Sequence, residues 1–360
     1  MRVVSVVGAR PQFVKLAPVA HAMAVAGVEH VIIHTGQHYD PMLSDVFFTD
    51  LGIPAPDIHL GVGSGGHGAQ TGAMLAALDE ALPPLSADWV LVYGDTNSTL
   101  AAALAAVKLH IPVAHLEAGL RSFNRAMPEE INRVLTDHAA DLLLTPTAVG
   151  AEHLAAEGLA SSTVVVGDVM TDVLLQVRDR VSGSPSPVME ELSLAEGSYS
   201  LATIHRAENT DAAERLKSVL DSLARVDHPV VILAHPRLVA KCVEHGLALE
   251  SRGSLLIHPP LAYPDLIASA LHARGVITDS GGLQKEAFLL RVPCTTVRPQ
   301  TEWVETVELG WNRLVEPGEA LVEAASRPRP AEPPQADAHP YGDGHAAERV
   351  VAELIAHLPG

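Results

Sequence analysis

Short continuous runs of Val, Ile and Leu recur along the chain, each bounded by Gly, Pro or Asp and separated by alanine-rich segments of helical length. The first series is Val3–Val7, Val31–His34, Trp89–Tyr93, Val113–Leu116, Leu142–Leu144 and Val164–Val166. Strands that are apolar on both faces and alternate with helices belong in a parallel sheet covered on both sides. A second series follows, with Leu201–Ile204, Val230–Leu233, Leu255–Ile257, Val276–Thr278, Thr295–Val297 and Arg313–Val315. The expected class is therefore α/β, with two doubly wound domains in tandem. The length of 360 residues agrees, because a single core stops growing near about 250–300 residues. We place the boundary near Asp168, giving domains 1–168 and 169–340. The polar stretch Val181–Pro187 reads as a linker or a surface loop. Pro328, Pro330, Pro333, Pro334 and Pro340 bar a helix interior over Arg327–Pro340. A last helix is expected around Ala346–His357, and the segment 341–360 is expected to pack back on the first domain.

Acidic residues outnumber basic ones by 43 to 24, for a formal charge of −19, which argues against a sequence-independent grip on nucleic acid or an anionic membrane. Any phosphate site must then be local. No stretch approaches the roughly 18 apolar residues of a transmembrane helix, and the apolar start Val3–Val7 is broken by Gly8, Arg10 and Pro11, too early for a signal peptide. Cys242 and Cys294 lack metal-ligand spacing and read as core residues of a protein kept in a reducing compartment, which points to the cytoplasm.

In open α/β sheets ligands sit beyond the carboxyl ends of the strands, so the residues that follow each strand carry the argument. After the first strand comes Gly8-Ala9-Arg10-Pro11-Gln12-Phe13-Val14-Lys15 instead of a GxGxxG turn, which argues against NAD. Arg10 and Lys15 there either meet an anion at a helix start or are solvated surface cations. The third and fourth strands of this series end in Gly94-Asp95-Thr96-Asn97-Ser98 and His115-Leu116-Glu117-Ala118-Gly119-Leu120-Arg121. Asp95 and Glu117 thus share one sheet edge, where two carboxylates in a desolvated site can split into an acid and a base. Helix capping by Asp95 and Ser98 is the competing reading. His115 and Glu117 also share a strand face, but two ligands without a third make a weak metal pair. Glu129 and Glu130 open a helix containing Arg133, as acids there or as helix-start decoration.

Opening the second domain, Ile204 delivers His205-Arg206-Ala207-Glu208-Asn209, placed to face a diphosphate, with Asp211 and Glu214 in capping-box spacing beyond. The strongest local signal is Thr278-Asp279-Ser280-Gly281-Gly282-Leu283-Gln284-Lys285-Glu286. A strand breaking into Ser280, Gly281 and Gly282 before a helix lets backbone N–H groups approach phosphate oxygens. Glu286, one turn on, is placed to accept a ribose hydroxyl pair; a tight turn with glycine for backbone reasons is the alternative.

Together these segments, with Thr35-Gly36-Gln37-His38 and Pro128-Glu129-Glu130-Ile131-Asn132-Arg133, resemble the bacterial UDP-N-acetylglucosamine 2-epimerase family of the non-hydrolysing kind over essentially the whole chain. That resemblance implies the GT-B arrangement, two Rossmann-like domains facing across a cleft that closes to exclude water. It implies interconversion of UDP-N-acetylglucosamine and UDP-N-acetylmannosamine by anti elimination of UDP to 2-acetamidoglucal and re-addition, without metal or other cofactor. By motif position Asp95, Glu117 and Glu129 become proton-handling residues, and His205 and Arg10 face the diphosphate with Ser280, Gly281 and Gly282. Lys15 and Arg133 balance charge, and Glu286 anchors the ribose. A homodimer is expected on the general rule for soluble oligomers.

The sequence departs from the commonest pattern of that family at Gln12, at Tyr39-Asp40 after the Gln-His motif where some members bind an activating second substrate, at Gln284-Lys285-Glu286 and over Pro293–Glu305. These features are similar to a subgroup that includes epimerases of UDP-2,3-diacetamido-2,3-dideoxyglucuronic acid. A hydrolysing 2-epimerase, a metal-independent GT-B glycosyltransferase and an inactive nucleotide-sugar sensor are the remaining alternatives.

Overall fold

The computed structural model describes residues 1–37, 54–329 and 339–358, without the side chain of Arg10; His38, Tyr39 and Asp40 lie outside the described residues. The chain divides into two compact units, Met1–Leu175 with His339–Gly360, and Gln176–Ala338.

The first unit contains, among the described residues, strands β1 (Arg2–Val7), β2 (Glu29–His34), β3 (Ile58–His59), β4 (Trp89–Tyr93), β5 (Val113–Leu116), β6 (Leu142–Thr145) and β7 (Thr163–Val165). They pair in parallel in the order β3-β2-β1-β4-β5-β6-β7. Only the two-residue β3 has no counterpart in the sequence expectation. The apolar runs are explained by burial on both faces. Val3, Val7, Trp89, Leu91 and Tyr93 join one core, and Val4, Val6, Val90 and Val92 join the other.

The helix Ala346–Ala356 completes the first of these cores with Val350, Val351 and Leu354, and Trp89 donates its indole N–H to the Leu354 carbonyl at 3.0 Å. Asp172 anchors the start of that helix by accepting from the Ala346 and Ala347 N–H groups, while Asp168 and Thr171 both donate to the Tyr341 carbonyl. These contacts tie the beginning of the helix Val169–Val181 to the first unit, so the division falls inside that helix, beyond the Asp168 expected from the sequence.

The second unit contains, among the described residues, β8 (Ser200–Thr203), β9 (Val230–Leu233), β10 (Leu255–His258), β11 (Gly275–Thr278), β12 (Cys294–Thr296) and β13 (Asn312–Leu314), parallel in the order β10-β9-β8-β11-β12-β13. The stretch Val181–Pro187, read as a linker or a surface loop, is exposed over Ser182–Pro185 and is anchored in this unit at its end. Ser186 is buried, caps the helix Pro187–Leu192 and bonds Ser269 at 3.0 Å, while Val188 is fully buried beside it. Cys242 and Cys294 are both buried and unpaired. No helix among the described residues is long and apolar enough to cross a membrane.

Candidate active site

In a doubly wound sheet the ligand crevice opens beyond the carboxyl ends of the strands at which the winding reverses. In the first unit that point lies between β1 and β4, in the second between β8 and β11. The loops that carry the motifs leave these strands and β5, the neighbour of β4.

In the first unit Gly8 leads from β1 into the helix Arg10–Val25. A Cβ on Gly8 would lie 1.9 Å from Thr35 Oγ1 and 2.4 Å from Ser98 Oγ, so glycine is required by close approach. Gln12 shows why an amide suits the position after Arg10-Pro11. Its oxygen accepts from the Gly8 and Ala9 N–H groups at 2.8 and 3.0 Å, and its nitrogen donates to the Tyr93 carbonyl at 2.9 Å and to Thr99 Oγ1 at 3.1 Å.

Lys15, from the second turn of that helix, contacts Glu117. Burial disfavours the Lys15 ammonium, but Glu117, Asp95 and Asp168 outweigh it and hold its pKa above the ordinary lysine range. The pair sits over Gly94, whose Cβ would lie 3.1 Å from Glu117 Oε2 and 3.2 Å from Lys15 Nζ. Glu117 itself has φ 72°, a left-handed conformation worth about 1–3 kcal/mol of strain in a non-glycine residue, the kind of outlier that clusters at functional sites.

Asp95 accepts from Arg133 Nη2 at 2.5 Å. It is not a helix cap: Thr96 caps the helix Asn97–Lys108 through the Thr99 N–H, which leaves the Asp95 carboxylate for Arg133. Arg133 also reaches Glu130 Oε2 at 2.6 Å. Glu130 is buried and accepts from the Ser122 and Phe123 N–H groups and the Ser122 hydroxyl. Burial would raise its pKa, but these donors and Arg133 hold it below the ordinary carboxylate range. Glu130 therefore fixes the loop, whereas Glu129 stands exposed in the first helical turn. His115 is unsuited to a metal pair with Glu117, because its two ring nitrogens lie 2.7 Å from Asp137 Oδ1 and from the Gly94 carbonyl.

In the second unit Asp279, fully buried at the end of β11, accepts from the His205 N–H at 3.0 Å, the Arg206 N–H at 2.9 Å and Asn209 Nδ2 at 3.1 Å. His205 Nδ1 lies 3.3 Å from the same carboxylate, which orients the partly exposed ring. This role of Asp279 was not evident from the sequence, although an acid between a strand end and Ser-Gly-Gly was a signal.

Ser280 caps the helix Gly281–Leu289 through the Leu283 N–H. Gly281 leaves room for Glu302, whose Oε1 would lie 2.4 Å from an added Cβ; at Gly282 the nearest atom is Ser280 Oγ at 3.9 Å, so its backbone is open to a ligand. Glu286 accepts from the Tyr263 hydroxyl at 2.9 Å, a partner with no sequence motif. Burial raises the Glu286 pKa above the ordinary range, against the opposing pull of Tyr263 and Lys285. Asp211 is not a cap: the helix Ala213–Leu223 has Ala212 at its N-cap and no side-chain cap, and Asp211 pairs with Arg237 at 2.5 Å. Among the described residues no group of three or more His, Cys, Asp or Glu side chains is arranged to hold a metal ion.

A family model described as UDP-N-acetylglucosamine 2-epimerase matches residues 21–355. A UDP-N-acetylglucosamine 2-epimerase homolog of Methanococcus maripaludis is 44% identical over 98% of this chain and 99% of its own length. The UDP-2,3-diacetamido-2,3-dideoxy-D-glucuronate 2-epimerase of Pseudomonas aeruginosa is also 44% identical, over 99% of this chain and 100% of its own. The solved UDP-GlcNAc 2-epimerase of Methanocaldococcus jannaschii superposes with TM-score 0.85 at 38% identity, covering 99% of this chain and 100% of that one. A second structure of that enzyme, in complex with UDP-GlcNAc and UDP, gives a TM-score of 0.79 at 39% identity with the same coverage. The fold is GT-B, and the chain belongs to the UDP-N-acetylglucosamine 2-epimerase family, a family of isomerases.

Proposed function

We propose that the chain interconverts UDP-N-acetylglucosamine and UDP-N-acetylmannosamine in the non-hydrolysing manner. The observation that carries this reading is the pairing of Glu117 with Lys15 and of Asp95 with Arg133 at the ends of adjacent parallel strands. The hydrogen at C2 has no carbonyl beside it and is not acidic, so its removal needs a positioned base and simultaneous stabilisation of the leaving diphosphate.

In the reaction one carboxylate of Asp95, Glu117 and Glu129 takes the C2 proton as the C1–O bond breaks, anti, to give 2-acetamidoglucal and UDP. UDP then re-adds to C1 while a second of these groups delivers a proton to the other face of C2. Lys15 and Arg133 balance the charge of the carboxylates. His205, Arg10, Ser280 and the N–H groups of Gly281 and Gly282 take the diphosphate, and Glu286 takes the ribose hydroxyls. The M. jannaschii relative bound to UDP-GlcNAc and UDP supports the nucleotide-sugar assignment. The Pseudomonas relative, equal in identity to that from M. maripaludis, supports a second reading with the diacetamido-glucuronate as the sugar. The buried unpaired cysteines favour a cytoplasmic location, and a homodimer is the assembly to test by light scattering.

Incubation with UDP-N-acetylglucosamine in deuterated water, followed by proton NMR at C2, tests the reading. Deuterium should enter C2 of both epimers, and both should be recovered as UDP-sugars. Free N-acetylmannosamine with UDP would instead mean hydrolysis. Neither exchange nor the manno epimer would exclude this sugar and pass the same test to the diacetamido-glucuronate.

A further inference from the structure

Asp137 stands on the helix Pro128–Ala139, is fully buried and has no part in the chemistry above. Its Oδ1 lies 2.7 Å from His115 Nδ1, and its Oδ2 accepts from Arg121 Nη1 at 2.7 Å and from the Gly119 N–H at 3.2 Å. His115, on β5, directs Nε2 to the Gly94 carbonyl at 2.7 Å. Each ring nitrogen of His115 thus faces an oxygen, one of a carboxylate and one of a backbone carbonyl. Burial alone would raise the Asp137 pKa; His115 and Arg121 outweigh it and hold the carboxyl below its ordinary range. Arg121 is itself fixed by two contacts to Glu157, at 2.7 and 2.9 Å.

These bonds converge on unusual backbone. Glu117 has φ 72°, which in a non-glycine residue persists only where the surroundings over-determine it, and Gly94 and Gly119, at φ 61° and 82°, are glycines that adopt such turns freely. Gly94 is further held by its N–H to the Leu116 carbonyl at 2.9 Å. We propose that Asp137 is a positioning residue. Through His115 it fixes the peptide that leads into Asp95, and through the Gly119 N–H it closes the turn that carries Glu117. One buried carboxylate thereby sets the placement of the two acids relative to each other. This rests on the reading that Asp95 and Glu117 handle the C2 proton, where a misplacement of about 1 Å can lower the rate on the order of 100-fold.

Asp137→Asn preserves shape but replaces one acceptor oxygen with an NH2 that cannot accept from His115 or Arg121. The measurement is the rate constant for C2 proton exchange at saturating enzyme excess, a property of each competent molecule and not of the fraction folded. It should fall about 10–100-fold, with KM for the UDP-sugar within about 2-fold of the parent. His115→Gln keeps the contacts of Asp137 to Gly119 and Arg121, so it should lose less, about 10-fold. Asp137→Asn exchanging at the parent rate would overturn the positioning role alone. If that variant does not fold, His115→Gln at the parent rate overturns it. No exchange by the parent on either sugar would overturn the functional reading, and the role of Asp137 with it.

Discussion

The Tyr263 hydroxyl donates to Glu286 Oε1 at 2.9 Å, beside a carboxyl that burial holds above its ordinary pKa. If Glu286 takes the ribose as a carboxylate, UDP affinity rises as pH climbs through that elevated pKa. Tyr263→Phe should weaken UDP about 3–10-fold at neutral pH, the worth of one hydrogen bond. A carboxyl whose folded pKa is raised loses stability for the fold as pH climbs from the ordinary carboxylate value to the raised one, and the full loss persists above it. Glu286→Gln should therefore raise Tm near neutral pH and leave it unchanged in acid. Titration calorimetry with UDP and thermal melts across pH check both signs.

Two glycines separate packing from binding. Gly8→Ala, with its Cβ 1.9 Å from Thr35 Oγ1, should lose about 1–3 kcal/mol of stability. Gly282→Ala adds a methyl to open space and improves helix propensity by about 0.5–1 kcal/mol, so the fold should hold. Its UDP affinity should nevertheless drop at least about 10-fold if that helix start receives the diphosphate. Unchanged UDP binding would remove Gly282 from the site.

Arg133 divides its guanidinium between Asp95 and Glu130, at 2.5 and 2.6 Å, and the two acids should respond differently. Asp95→Asn and Glu117→Gln should lower kcat about 100–10,000-fold with UDP affinity retained. Glu130→Gln should act first on stability. A depressed folded pKa contributes stability above the ordinary carboxylate pKa that is lost as pH falls through the depressed value. Its Tm deficit should thus be largest near neutral pH and shrink in acid.

Asp172 accepts from Ala346 N at 3.1 Å and Ala347 N at 2.7 Å, capping a helix far away in sequence. Asp172→Ala should lose about 1–2 kcal/mol, read by urea unfolding. A stability equal to the parent's would show that the cap is replaced by water.

The strands were legible because the sheets are parallel and covered on both faces, which makes each strand a continuous apolar run; β3, two residues long, had no such run. The site motifs were legible because they follow strand ends directly, as Gly94-Asp95 and Asp279-Ser280 do. Asp137 and Tyr263 were not, since each acts through a partner that only the folded chain supplies. Thr96 displaced Asp95 as the cap for the same reason: Arg133, distant in sequence, claims the carboxylate.

The helix Ala346–Ala356 belongs to the first unit although it follows every residue of the second. Ribosomal synthesis proceeds from the N-terminus, so the whole of Gln176–Ala338 has been polymerised before Val350, Val351 and Leu354 exist to cover their side of the first core. The unit synthesised first is thus the one finished last. Until that helix emerges, a nascent chain carries Trp89 and its neighbours without their cover, an exposed apolar surface of the kind that invites aggregation.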